Sequence, residues 1–183
     1  MSEELLVRHC SPTLAGLKTG SLFSCTYGSE KEIVENVRRL NRKLVPRGLR
    51  ILPIRVSGKR VLIYVYRPGR LEKDFSDGSV QDILKERGYF CKNPLGCVIR
   101  LMKKLDGNPE FPHEIGLFLG YPAEDVKGFI ENKAACSKCT GYWKVYGDPQ
   151  TAGELFAKYR KCTDIYCAQW ENGVSIEQLA VAG

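Results

Sequence analysis

The chain has 183 residues, 43% of them hydrophobic, and a formal net charge of +7. Its length predicts one globular domain over residues 1–183, and its composition excludes disordered and collagen-like chains. No apolar run approaches the ~18 residues that a membrane span needs, and Glu3 and Glu4 interrupt the pattern of a secretion signal. We therefore expect a soluble protein of the cytoplasm.

Helices and strands alternate in the first third of the predicted structure. Ser11 and Pro12 are typical of the N-cap and first residue of a short helix that ends at Gly20. The elements that follow are a strand at 21–27, a helix opened by a Ser29/Glu32 capping box, an edge strand with Pro53 at 49–56, and a buried strand at 60–67.

The rest of the chain is mostly helical in this interpretation. The predicted elements are helices at about 79–87, 94–105, 112–120 and 122–132, a fourth strand at 141–147, and a long helix capped by Asp148. Four strands and about seven helices, largely segregated along the chain, indicate an α+β fold. The predicted architecture is a single domain in which a small, largely antiparallel sheet packs with the helices.

Positive charge is concentrated in one segment. Residues 31–70 contain twelve Lys or Arg and two Glu, which makes this segment +10 and leaves −3 for the remainder. Such asymmetry points to an anionic small molecule, an acidic protein or nucleic acid as partner, and a solvated basic face is the alternative. The candidate contact residues lie on one predicted helix and are Arg38, Arg39, Arg42 and Lys43.

One of the eight cysteines is a candidate nucleophile. Cys10 follows His9 and precedes the predicted helix start at Ser11, where the partial positive charge of a helix N-terminus favours a thiolate. His9 or His113 would be its base, and Glu114 would orient that base, as in covalent acyl transfer. The alternative is that Cys10 fills a pocket in the core and the histidines are structural.

A second candidate is the Cys136-x-x-Cys139 motif. With Cys162 and Cys167 it would supply four thiolates for zinc or an iron–sulfur cluster. However, residues five apart on one helix point about 140° away from each other, so Cys162 and Cys167 do not readily face one metal. No dinucleotide or phosphate-loop motif is present, and the sequence indicates no particular cofactor.

Four segments resemble an uncharacterised bacterial family, catalogued as domain of unknown function 3793 and found chiefly in anaerobic, clostridia-like bacteria. These segments are HCSPTLAGLKTGSLF at 9–23, VLIYVYR at 61–67, FPHEIGLFLGYPAEDVKGFIENK at 111–133 and GYWKVYGD at 141–148. The resemblance extends from about His9 to Ala180. It implies that the His9-Cys10 pair and the Pro112-His113-Glu114 step are family motifs, and that flavodoxin-like proteins are found alongside some members.

Three functions are compatible with these residues. The leading hypothesis is a thiol-dependent enzyme or redox-handling protein that acts on an anionic substrate or an acidic, flavodoxin-like partner. Nucleic-acid binding through residues 31–70 is the second, and metal binding through the cysteines is the third.

Overall fold

The computed structural model describes residues 1–91, 93–107 and 110–182, and within these ranges the chain is α+β. The strands are β1 (Gly20–Thr26), β2 (Arg50–Ser57), β3 (Arg60–Tyr66), β4 (Cys139–Thr140) and β5 (Lys144–Val145). The helices are α1 (Glu3–Leu14), α2 (Glu30–Leu44), α3 (Pro68–Phe75), α4 (Gly78–Glu86), α5 (Pro94–Gly107), α6 (Ile115–Phe118), α7 (Ala123–Glu131), α8 (Pro149–Glu171) and α9 (Ile176–Leu179). The predicted fold class, with its small antiparallel sheet, is confirmed.

The chain divides into two compact units. The first comprises Met1–Arg70 and Lys161–Gly183, and the second comprises Leu71–Arg160. The prediction of one domain over 1–183 stays a prediction.

The first unit is built on a three-stranded antiparallel sheet in the order β1-β3-β2. The predicted buried strand is confirmed, because β3 is the central strand of the sheet and is buried on both faces, as its continuous apolar run indicates. The predicted edge strand is confirmed as well: β2 tolerates Pro53 at an outer position, where the register shifts before Arg55. Helices α1 and α2 contact β1 and β2, respectively.

The first predicted helix was misplaced. Instead of beginning at Ser11, α1 begins at Glu3 with Ser2 as its N-cap, and Pro12 lies inside its last turn. The apolar positions Leu6, Cys10 and Leu14 are spaced by four residues and are fully buried, so core packing extends the helix upstream. The Ser11 hydroxyl donates to the Val7 carbonyl and is satisfied within the helix instead of capping it.

Arg67 is buried in the first unit directly after β3. Its guanidinium donates to the main-chain carbonyls of Thr13 at 2.7 Å, Leu14 at 2.6 Å, Val181 at 2.8 Å and Arg47 at 3.3 Å. Four acceptors thus satisfy a buried cation that would otherwise be costly.

The second unit contains α4 to α7 and a short β4–β5 hairpin that packs against α7. The strand predicted at 141–147 is shorter than expected, because only Lys144 and Val145 pair, with Thr140 and Cys139. The helix predicted at 112–120 contracts to the four residues of α6, which leaves His113 and Glu114 ahead of it. Asp148 caps α8 as predicted, since its carboxylate accepts from the backbone of Gln150 and Thr151.

Candidate functional site

Cys10 lies in the second half of α1, away from the helix N-terminus that would have favoured its thiolate. Its side chain is 0% exposed and packs within the hydrophobic core. Burial raises the pKa of Cys10 to about 12, although the Lys18 charge and a hydrogen bond with Ser21 oppose this. These surroundings favour a neutral thiol that packs as a small apolar side chain.

His9 points away from the core. Its imidazole is exposed and stacks on Phe23, with ring centroids 5.1 Å apart and planes inclined by 11°. Cys10 and His9 belong to the first unit, whereas His113 and Glu114 belong to the second. The predicted catalytic residues are therefore divided between two units of the fold.

Glu114 is the centre of a buried polar network in the second unit. Its Oε1 accepts from the Tyr89 hydroxyl at 3.1 Å and from Lys104 Nζ at 2.7 Å, and its Oε2 lies 3.4 Å from Arg87. Burial favours a raised pKa for Glu114, but the hydrogen bond and charge of Lys104 outweigh it and the pKa is lowered. Glu114 is therefore an ionised, fully partnered carboxylate.

The predicted anion-binding residues on α2 fall into two pairs. Arg39 and Lys43 form ion pairs with Glu3 at 2.9 and 3.0 Å, and Lys43 also contacts Glu177 at 2.9 Å. Their positive charge is largely matched within the first unit.

By contrast, Arg38 and Arg42 are exposed, and neither pairs with an acidic residue in the part of the chain that the structure describes. Of the four predicted contact residues, these two remain available to an external anion.

The Cys136-x-x-Cys139 motif lies on the surface of the second unit. Cys136 is exposed with a left-handed φ of 58°, and Cys139 is half-buried in β4. Across residues 1–91, 93–107 and 110–182, no group of three or more His, Cys, Asp or Glu side chains is arranged to hold a metal ion. Cys162 and Cys167, the other proposed ligands, lie on α8 in the first unit. Metal binding stays a prediction.

Sequence reasoning missed a pair of thiols in the second unit, Cys91 and Cys97. The Asn93 side chain accepts from the backbone of Gly96 at 2.8 Å and so caps the start of α5. Cys91 lies against the first turn of the helix: a Cβ added to Gly96 would lie 3.3 Å from Cys91 Cβ and 3.8 Å from its Sγ. The Asn93-Pro94 helix-start signal between the two cysteines was the available clue.

The two thiols lie together at the first turn of α5 and face the same cavity. Burial, followed by a hydrogen bond with Cys91 and its charge, raises the pKa of Cys97 to about 12. Cys97 is 5% exposed, whereas Cys91 is half-buried. Both line a cavity of about 350 Å³, and Cys91 is the more accessible of the two.

Tyr89 connects this cavity with the Glu114 network. Its ring lines the cavity, its hydroxyl donates to Glu114, and Lys104 Nζ lies 4.5 Å from the ring centroid. Burial and the Glu114 charge raise the pKa of Tyr89, with a smaller effect from Cys97. The hydroxyl is thus held neutral and fixed in place, and the cavity wall beside the thiols is rigid.

A family model matches nearly the whole chain. The model of the family described as "Protein of unknown function (DUF3793)" matches residues 6–180, and the chain belongs to this family. Searches of curated proteins and of solved structures gave no match. Separately, none of the described residues forms a helix long and apolar enough to cross a bilayer.

Proposed function

We propose that the protein is a cytoplasmic thiol–disulfide redox protein that uses Cys91 and Cys97 as a dithiol–disulfide pair. The observation that carries this proposal is that Cys91 lies against the first turn of α5, which holds Cys97, and that both thiols line one cavity. All eight cysteines are free, which fits a reducing compartment. The proposal retains the thiol chemistry expected from the sequence and moves it from Cys10 to this pair.

The reaction proceeds by thiol–disulfide exchange with a disulfide-bearing substrate. Cys91 loses its proton to solvent and attacks one sulfur of the substrate disulfide, and the other sulfur leaves as a thiolate that takes up a proton. Cys97 then loses its proton and attacks Cys91 Sγ, which releases the second substrate sulfur as a thiol. Two electrons pass from the protein dithiol to the substrate, and the Cys91–Cys97 disulfide forms.

The order of attack follows from burial and hydrogen bonding. Cys91 is the more accessible thiol and meets the substrate first. Cys97 keeps its proton at neutral pH because burial raises its pKa, and it donates toward Cys91 until the mixed disulfide forms. Glu114 acts through Tyr89 as a positioning residue that holds the cavity wall.

The proposed substrates are an acidic redox protein or an anionic small disulfide such as oxidised glutathione. Arg38 and Arg42 support this choice, because both guanidiniums are exposed and lack an internal acidic partner among the described residues. Long-range attraction from such cations raises the rate at which an anionic partner arrives.

The test is oxidation of the purified, reduced protein in a glutathione redox buffer, followed by peptide mass spectrometry. We expect an intramolecular bond between Cys91 and Cys97 that forms reversibly. In Cys97→Ser, the reaction should stop at a glutathione adduct on Cys91, because the resolving thiol is missing.

The surface pair Cys136 and Cys139 supplies the matched control. A Cys136→Ser/Cys139→Ser variant should form the Cys91–Cys97 bond with wild-type kinetics. The proposal fails if glutathione modifies the surface cysteines while Cys91 and Cys97 stay reduced, or if Cys97→Ser accumulates no adduct on Cys91.

A further inference from the structure

A second cavity in the second unit lies between α6, α7 and the β4–β5 hairpin. Its volume is about 400 Å³, within the range of sites for small organic ligands. Six of its thirteen lining residues are aromatic, and they are Phe111, His113, Tyr121, Phe129, Tyr142 and Trp143. Such a lining offers several ring faces and edges to one ligand.

The aromatic lining is held in place by its own contacts. Tyr121 stacks on Trp143 with ring centroids 4.6 Å apart. His113 and Phe129 pack in a T-shaped arrangement with ring centroids 4.9 Å apart. The indole Nε1 of Trp143 donates to the buried carboxylate of Asp125 at 2.6 Å. The cavity is therefore largely formed before any ligand arrives, which reduces the entropic cost of binding.

The charged groups of the cavity are already committed to the protein. Besides the Trp143 indole, the Asp125 carboxylate accepts from the backbone of Tyr146 at 2.7 Å and of Gly147 at 2.8 Å. Lys144 Nζ donates to the Ala134 carbonyl at 2.5 Å. A charged ligand group would have to displace these hydrogen bonds and would also lose its hydration, which favours a neutral ligand.

His113 differs from these groups. Its imidazole lines the cavity, is half-buried, and forms no side-chain hydrogen bond with any residue in the described ranges. A neutral imidazole carries one donor and one acceptor nitrogen. It can thus hydrogen-bond a ligand without giving up a protein partner.

We propose that this cavity binds a small, neutral, flat heteroaromatic molecule whose ring packs among the aromatic side chains and whose ring nitrogen hydrogen-bonds with His113. The site is separate from the Cys91–Cys97 pair, so it stands or falls independently of the proposed redox function. It also assigns His113 a binding role in place of the catalytic role expected from the sequence.

The experiment uses quinoline as the probe and ligand-observed NMR titration of the full chain at neutral pH. Naphthalene has the same shape without the nitrogen, and N-methylquinolinium carries a positive charge. We expect quinoline to bind one site with a Kd below about 1 mM, naphthalene to bind about fivefold more weakly, and N-methylquinolinium not to bind.

The chain's two histidines give a matched pair of variants. His113→Phe keeps a ring against Phe129 and removes the nitrogens, so quinoline should weaken to the affinity of naphthalene. His9→Phe keeps the stack on Phe23 in the first unit and should bind quinoline like the wild type. Circular dichroism confirms that each variant is folded.

Two results would overturn the proposal. One is no saturable binding of quinoline or naphthalene up to about 1 mM, the weak limit for a specific site. The other is binding that does not depend on His113 or on the charge of the ligand. If His113→Phe leaves the affinity for quinoline unchanged, the ligand lies away from His113. If the charged N-methylquinolinium binds as well, the ligand lies outside an apolar cavity.

Discussion

Lys104 Nζ lies 2.7 Å from Oε1 of Glu114, and this contact keeps a carboxylate that is only 2% exposed in its ionised form. Glu114 precedes the short helix α6, while Lys104 comes from the last turns of α5, so the pair joins two elements of the second unit. Breaking one side of such a pair leaves the other charge poorly solvated.

We therefore predict that Glu114→Gln lowers the free energy of unfolding by about 2 kcal/mol at neutral pH, since Lys104 and Arg87 lose their shared negative charge. The pKa of Glu114 is lowered from its ordinary value of 4.5, so its contribution is present above that value and is lost as pH falls through the folded-state pKa. Chemical denaturation at several pH values measures both effects.

In this experiment the difference between wild type and Glu114→Gln should shrink as the pH falls below about 4.5. Asp82→Asn is a suitable control, because Asp82 is an exposed residue on α4 with a long surface contact to Lys85. A difference that stays constant down to low pH would contradict the role given to the Glu114 charge.

Cys10 should resist alkylation in the folded protein. Its thiol is fully buried and its pKa is raised to about 12, so little thiolate exists near neutral pH and reagent cannot reach it. We expect iodoacetamide to modify the exposed Cys136 readily and Cys10 only when the protein is unfolded, as measured by peptide mass spectrometry. Modification of Cys10 at the rate of Cys136 in native conditions would restore it as the reactive thiol.

Gly96→Ala should make the proposed Cys91–Cys97 disulfide easier to reduce. The added Cβ would lie 3.3 Å from Cys91 Cβ, so Cys91 must shift by a few tenths of an ångström and the closed bond becomes strained. We expect the equilibrium constant for oxidation in glutathione buffer to fall by about tenfold, equivalent to about 1.4 kcal/mol.

Gly153→Ala is the matched control for this substitution. Gly153 also lies on a helix, α8, and a Cβ there would meet nothing within 4 Å. This variant should leave the oxidation equilibrium unchanged while raising stability by roughly 0.5–1 kcal/mol through helix propensity. Equal redox effects of the two substitutions would mean that Gly96 acts through the helix and not through contact with Cys91.

The exposed arginines of α2 should matter more for anion binding than their paired neighbours. We expect Arg38→Gln/Arg42→Gln to weaken binding of a fluorescent polyglutamate peptide by about fivefold at low salt, from two exposed contacts of about 0.5 kcal/mol each. Arg39→Gln/Lys43→Gln should have a smaller effect, because these side chains are engaged by Glu3 and Glu177. Fluorescence anisotropy measures both.

Equal losses in the two double variants would remove the distinction between free and paired cations. A single-stranded oligothymidylate of matched charge provides a second arm of the experiment. If it binds at least tenfold more tightly than polyglutamate, with a steep salt dependence, the nucleic-acid function becomes the better interpretation.

Periodicity and end signals predicted the sheet and most of the helices. The continuous apolar run of β3 indicates a strand buried on both faces, and the proline of β2 indicates an edge strand that can lack one backbone donor. Both features depend on the residues of that strand alone, so the sequence is enough to predict them. Local signals were insufficient for α1, where packing of Leu6 and Cys10 outweighs the Ser11-Pro12 start signal. Helices α3 and α9 were missed, as short segments have little periodicity.

The site residues were harder to predict than the fold. Cys10 and Cys91 look alike in the sequence, and only their surroundings separate a core thiol from an accessible one. Likewise His113 and Glu114 are adjacent in the chain, yet one lines the aromatic cavity and the other is the centre of the buried network. Chemistry that depends on three-dimensional proximity is not encoded in spacing along the chain.

The buried Arg67 can help to attract an anion without helping to hold it. It is one of the twelve cations of residues 31–70, but its guanidinium is occupied by main-chain carbonyls, which do not cancel its charge. Its charge still contributes to the electrostatic potential outside the protein, but its hydrogen-bond donors are used within the protein. The basic segment thus has more positive charges that attract an anion over a distance than side chains that can contact it. Added salt should therefore lower the association rate more than it shortens the lifetime of the complex.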